Sequence, residues 1–180
     1  MPKRALTPTD WLNLALQELK THGYAALRAQ PLAKKLGVSR GSFYHHFESL
    51  EAFQTAVIAH WSETTSGQII LDAQAAGDPV LALDDLLRTT LRSGEALERA
   101  VRSWSTVAPG VAEAVDRVDR TRIGVAERLL TDAGVPKTVA TARAKVLYWA
   151  AIGRLMLPFP QSNVLTDADI SDLTALVTRH

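Results

Sequence analysis

Apolar residues return at three- and four-residue intervals along almost the whole chain, the spacing of helices that bury one face and wet the other. No stretch alternates convincingly with the two-residue period of a half-buried strand, so the pattern predicts an all-α protein of about nine helices. The first helix is read from Trp11, Leu12, Ala15, Leu16 and Leu19. Thr7 stands as its N-cap, Pro8 takes the first helical position, Asp10 lies near the positive end of the dipole, and Gly23 stops it after about His22. Tyr24-Ala25-Ala26-Leu27 follows as a connector with an apolar anchor. Gln30 precedes a proline and is expected outside the helix, so that Pro31 opens the second one.

From Gln30 to Phe47 the pattern predicts two short helices joined by one tight turn. Gly37 suits a left-handed C-cap, and Ser39 can N-cap the next helix. Leu32, Ala33, Leu36, Val38 and Phe43 form the inner face, while Lys34, Lys35, Arg40, Ser42, Tyr44, His45 and His46 are left outside. The outer set is rich in donors for phosphates and base edges.

A long fourth helix carries Phe53, Val57, Trp61, Thr64 and Gln68 and ends before Gly77-Asp78-Pro79. A fifth from Pro79 shows Leu83, Leu87 and Leu91 until Ser93-Gly94, and a sixth from Glu95 shows Leu97, Val101 and Trp104. After Pro109-Gly110 the seventh carries Val111, Val115, Val118, Val125 and Leu129 and is stopped by Gly134. The eighth, from about Pro136 to Leu157, carries Val139, Val146, Trp149, Ile152, Gly153 and Met156. Leu157 to Asn163 holds two prolines and is expected to be a loop. Thr166 and Asp169 then cap a last short helix with Ile170, Leu173, Leu176 and Val177.

Charge divides this helical string. The net charge is only +1, but residues 1–50 hold seven Lys or Arg against three acids, and the remaining residues hold thirteen against sixteen. A basic N-terminal module (1–50) facing a polyanion, followed by a mildly acidic body (51–180), is the expected domain plan. The chain has no cysteine, which closes off disulfides and thiolate metal sites and fits a cytoplasmic protein. The N-terminus does not read as a signal peptide, and the longest apolar run, Val146 to Gly153, is far too short to cross a bilayer.

Gly37-Val-Ser-Arg-Gly-Ser-Phe-Tyr-His-His-Phe47, preceded by Leu32-Ala33 and followed by Ser49, Glu51 and Phe53, resembles the N-terminal signature of TetR-family transcriptional regulators. The resemblance covers residues 7 to 60; beyond it only helix number and order agree. It implies an N-terminal three-helix DNA-binding domain of the helix-turn-helix type and a C-terminal helical domain for ligand binding and dimerisation. It further implies a homodimer on a double-stranded operator and a small-molecule effector, acting most simply as a repressor released by that molecule. Carried over residue by residue, it places Arg28, Gln30 and Lys34 near phosphates and Ser39, Arg40, Gly41, Ser42, Tyr44, His45 and His46 against DNA. Gly41 would let backbone approach the duplex closely. One departure stands out: where the family commonly has a lysine at the start of the connecting helix, this chain has Leu50.

Other readings compete with these. His45 and His46 point about 100° apart on a helix, with no histidine at i+4, so a metal site is not expected, and no cofactor is implied. Trp61, Leu87, Trp104, Arg122, Tyr148 and Trp149 are the candidate effector-binding residues, although for any single ring core packing is the simpler explanation. Arg122 has an internal ion pair with Asp119, Asp84 or Asp85 as its simpler explanation. Catalysis finds no cysteine nucleophile, phosphate loop or Gly-x-Ser-x-Gly, so no enzyme is expected. The rival is a helical ligand-binding or protein-interaction module whose helix-turn-helix serves packing; burial of Arg40, Ser42, Tyr44 and His45 would favour it.

Overall fold

The computed structural model describes residues 6–75, 77–92, 95–157 and 164–179. Among them are nine α-helices and no strand: α1 (Pro8–His22), α2 (Ala29–Leu36), α3 (Arg40–His46), α4 (Leu50–Ala75), α5 (Pro79–Arg92), α6 (Glu95–Ser105), α7 (Pro109–Asp132), α8 (Lys137–Leu155) and α9 (Asp167–Thr178). Two compact units emerge: Met1–Glu63 with Ala96–Val115, and Thr64–Glu95 with Asp116–His180.

Local chemistry sets most helix ends. Thr7 and Asp10 close a capping box on α1, and Thr166 and Asp169 close another on α9, so each helix's first backbone N–H groups find side-chain oxygens. Gly23, Gly37 and Gly134 take positive φ after α1, α2 and α7, where an L side chain would be strained. Two expectations at helix starts need correction. Gln30 is helical, because α2 begins one residue earlier at Ala29 after an extended Arg28. Pro31 falls in the first turn, where its missing N–H would have had no intrahelical acceptor. Ser39 does stand at the N-cap of α3 with extended backbone, but its side chain makes no capping bond.

In the first unit Trp11, Ala15, Leu19, Leu27, Leu32, Ala33, Phe43, Phe53, Val57 and Trp61 are buried, as are Val101, Trp104 and Val111. Four rings interlock at its centre. Trp11 of α1 meets Phe43 of α3 edge-on at 5.4 Å, and Phe43 meets Phe53 of α4 at 5.0 Å. Phe47 lies 4.9 Å from Phe53, so three helices share one aromatic contact set. Each such pair contributes about 0.5–1.5 kcal/mol beyond burial alone.

The second unit packs Leu83, Leu87 and Leu91 of α5 with Val125, Leu129 and Leu130 of α7, Ala140, Ala144, Leu147 and Ala151 of α8, and Ile170 of α9. Here three apolar stripes differ from expectation. On α4, Thr64 is exposed, and the side chain of Gln68 lies outside the described residues. On α8 the buried residues are Ala140, Ala144, Leu147, Ala151, Arg154 and Leu155, while Val146, Trp149 and Met156 point outward and Ile152 is half-buried. On α9, Leu176 is exposed, and the buried partner of Ile170 is the polar Thr174, which donates to Asp84 Oδ1 at 3.0 Å. Arg88 of α5 also binds Asp84, and reaches Asp167 and Ser171 of α9. At the other end, Arg143 of α8 donates to the carbonyls of Val177 and Arg179 at 2.7 and 2.6 Å. The loop expected over Leu157 to Asn163 and the stop expected at Ser93-Gly94 fall outside the described residues, except for Leu157 itself.

Candidate nucleic-acid interface

The tight pair α2–α3 presents its polar side to solvent because its apolar side is taken up by α1 and α4. Leu32, Ala33 and Phe43 are buried, with Leu36 and Val38 half-buried around them. Val38 N donates to the Ala33 carbonyl across the Gly37 turn, which fixes the angle at which α3 leaves. Arg28, Gln30, Lys34, Ser39, Arg40, Gly41, Tyr44 and His45 are exposed, and Ser42 and His46 are half-buried. The structure therefore brings all ten expected DNA contacts into one segment, and the exposure of Arg40, Tyr44 and His45 argues against a helix-turn-helix that merely packs.

Several members have defined roles on this surface. Lys35, part of the outer basic set, is drawn off to Glu18 of α1 at 2.6 Å and so ties α2 to α1. Arg40 and Tyr44 pair with each other along α3: the guanidinium donates to the Tyr44 hydroxyl at 3.2 Å and lies 5.4 Å from the ring centre. That hydrogen bond holds the Arg40 pKa above its ordinary range. This pairing was missed in the sequence, although a spacing of four on a helix was its signal. His46 leans on Trp11, with ring centres 6.4 Å apart.

Gly41 is informative by what surrounds it. A Cβ there would meet only the Ser39 hydroxyl, at an ordinary 3.6 Å, and its φ is not positive. Among the described residues nothing requires glycine at this position. Leu50 is half-buried at the start of α4, where Ser49 accepts the Ala52 N–H at 3.0 Å, and its neighbour Glu51 is acidic. The Glu51 pKa lies below the usual carboxylate range, held down by its own backbone N–H and then by Ser49.

The six expected effector contacts are not brought together in one unit. Trp61 and Trp104 are buried in the first unit, and Leu87 belongs to the packed core of the second. Arg122 and Tyr148 are half-buried on α7 and α8 of the second unit, where the Tyr148 hydroxyl donates to Asp119. Asp84, one carboxylate considered for Arg122, is bound by Arg88 and Thr174. Trp149 is 63% exposed and lines no interior in this chain.

Residues 12–57 match the bacterial regulatory proteins of the tetR family. No curated protein matches the chain in sequence. Among solved structures the chain shares its fold with NemR of E. coli in the reduced form, at 20% identity and TM-score 0.76, covering 94% of this chain and 95% of that one. A TetR transcriptional regulator from Legionella pneumophila is similar at 16% identity and TM-score 0.72, covering 98% and 97%. A regulator of the TetR/AcrR family from Thermobifida fusca follows at 19% identity and TM-score 0.68, covering 96% of each. Residues 12–57 thus carry the DNA-binding segment of the tetR family of bacterial regulatory proteins with its polar face turned outward, and the chain as a whole shares the fold of the solved regulators of that family.

Proposed function

We propose that the chain is a ligand-responsive repressor that binds an operator as a homodimer and leaves it when a small molecule binds the helical body. The observation that carries the DNA half is the outward polar face of α3, with Arg40, Tyr44 and His45 exposed above a buried Phe43. Two such helices would enter successive major grooves about 34 Å apart.

For the dimer, support comes from α8. Val146, Trp149 and Met156, spaced at helical intervals, are 59%, 63% and 67% exposed, and Leu176 of α9 is exposed in the same unit. An uncovered apolar stripe of this kind is what a second copy would cover. For the effector, support comes from the second unit, where Arg122 and Tyr148 supply half-buried polar groups on α7 and α8 and Leu87 belongs to the apolar core. The chain has no cysteine, so response is by binding and not by thiol oxidation. The effector must favour the form whose recognition helices do not match the operator, since equal affinity for both forms shifts nothing.

Electrophoretic shift with genomic fragments tests this reading. A specific site at moderate salt, weakened by Arg40→Ala and released by one compound of a metabolite panel, is the expected result. Absence of any specific site ends the DNA reading, and a site that no compound releases ends the ligand reading.

A further inference from the structure

A surface arginine on a helix samples many rotamers and loses that freedom when it binds. On α3 the sampling is restricted before any partner arrives. Arg40 is braced by Tyr44 through both a hydrogen bond and the face of the ring, at 3.2 Å and 5.4 Å. Tyr44 is itself braced, standing edge-on to Phe43 at 5.2 Å and 82°. Phe43 is fully buried between Trp11 and Phe53. A chain of contacts thus runs from the aromatic core of the first unit out to one guanidinium.

Resting on the reading that α3 faces the duplex, we propose that Tyr44 is a positioning residue for Arg40, holding its guanidinium for a bidentate grip on the O6 and N7 acceptors of a guanine in the major groove. Guanidinium carries five N–H donors in a rigid fork, and one directed to Tyr44 leaves the others for the base. The Tyr44 oxygen accepts from Arg40, so its own O–H remains for a phosphate. The two roles have different signatures. A tyrosine that only touched phosphate would strengthen every sequence alike, whereas one that positions Arg40 sharpens the choice at Arg40's base pair.

The test uses the full chain to select binders from a pool of randomised duplexes, then measures affinity for the selected duplex and each of its single-base-pair variants. Arg40→Ala should flatten the preference at one base pair of each half-site. Tyr44→Phe keeps the ring and the fold but removes the hydroxyl; it should lower discrimination at that same base pair by about threefold to tenfold. In the Arg40→Ala background it should add nothing to that loss. The proposal is overturned if Tyr44→Phe weakens all duplexes by one common factor, or if its effect on discrimination adds to that of Arg40→Ala. If wild type selects a site and Arg40→Ala leaves every preference intact, Arg40 reads no base and the proposal falls while DNA binding stands. If wild type selects nothing, the DNA-facing reading falls and takes the proposal with it.

Discussion

Gly41 separates what the fold needs from what a partner needs. Glycine inside a helix costs about 1 kcal/mol relative to alanine, and here the space for a methyl group is open. Gly41→Ala should therefore raise the unfolding free energy by up to about 1 kcal/mol in denaturant melts. The same change should reduce DNA affinity on the order of tenfold, because a side chain would stand between α3 and the duplex. A variant that is both more stable and equally tight would remove the close-approach argument. Leu50 offers the converse experiment. Leu50→Lys should tighten binding and steepen the dependence of log affinity on log salt by about 0.9 for each phosphate gained. An unchanged slope would mean that the start of α4 does not face the backbone. Both residues were legible in the sequence as a pattern and a departure from it, since each argument concerns a single position. The Arg40–Tyr44 bond was not, because spacing permits a contact without choosing the rotamers that make it.

At the scale of elements, α9 is the informative case. Its capping box was readable from Thr166 and Asp169, two residues three positions apart that meet locally. Its inward face was not, because Leu176 looks apolar in sequence and points outward, while Thr174 is buried against a carboxylate on α5. Thr174→Val removes that donor and leaves Asp84 with one partner fewer; unfolding should become easier by about 1–2 kcal/mol in urea titration. Burial alone would raise the Asp84 pKa, but hydrogen bonds from Arg88 and Thr174 outweigh it and hold the pKa below the ordinary value. A carboxylate with a depressed folded pKa contributes stability above its unfolded value, about 3.9, and loses it as pH falls through the folded value. Melts taken between about pH 5 and pH 2 should show a flatter acid limb for Asp84→Asn than for wild type. Equal slopes would show that the α5–α9 contact is not what acid weakens.

For the whole molecule, the question is what covers α8. Its buried residues are the three alanines Ala140, Ala144 and Ala151 with Leu147, Arg154 and Leu155, while Val146, Trp149 and Met156 are left to solvent in a single chain. Trp149→Glu should yield a monomer in sedimentation at micromolar concentration and weaken operator binding, since one recognition helix grips only one half-site. Wild type sedimenting as a monomer would remove this interface. Helix number, order and type, together with the caps at Thr7, Gly23, Gly37, Gly134 and Thr166, were determined by the sequence alone, because 3.6-residue periodicity, glycine's access to positive φ and capping bonds are local. Which face of α8 and α9 turns inward, where Arg88 and Arg143 reach, and how the rings braced behind Arg40 interlock were decided only by tertiary structure. Those outcomes depend on partners tens of residues away, and a helix that is apolar on more than one side carries no local signal for which side will be buried.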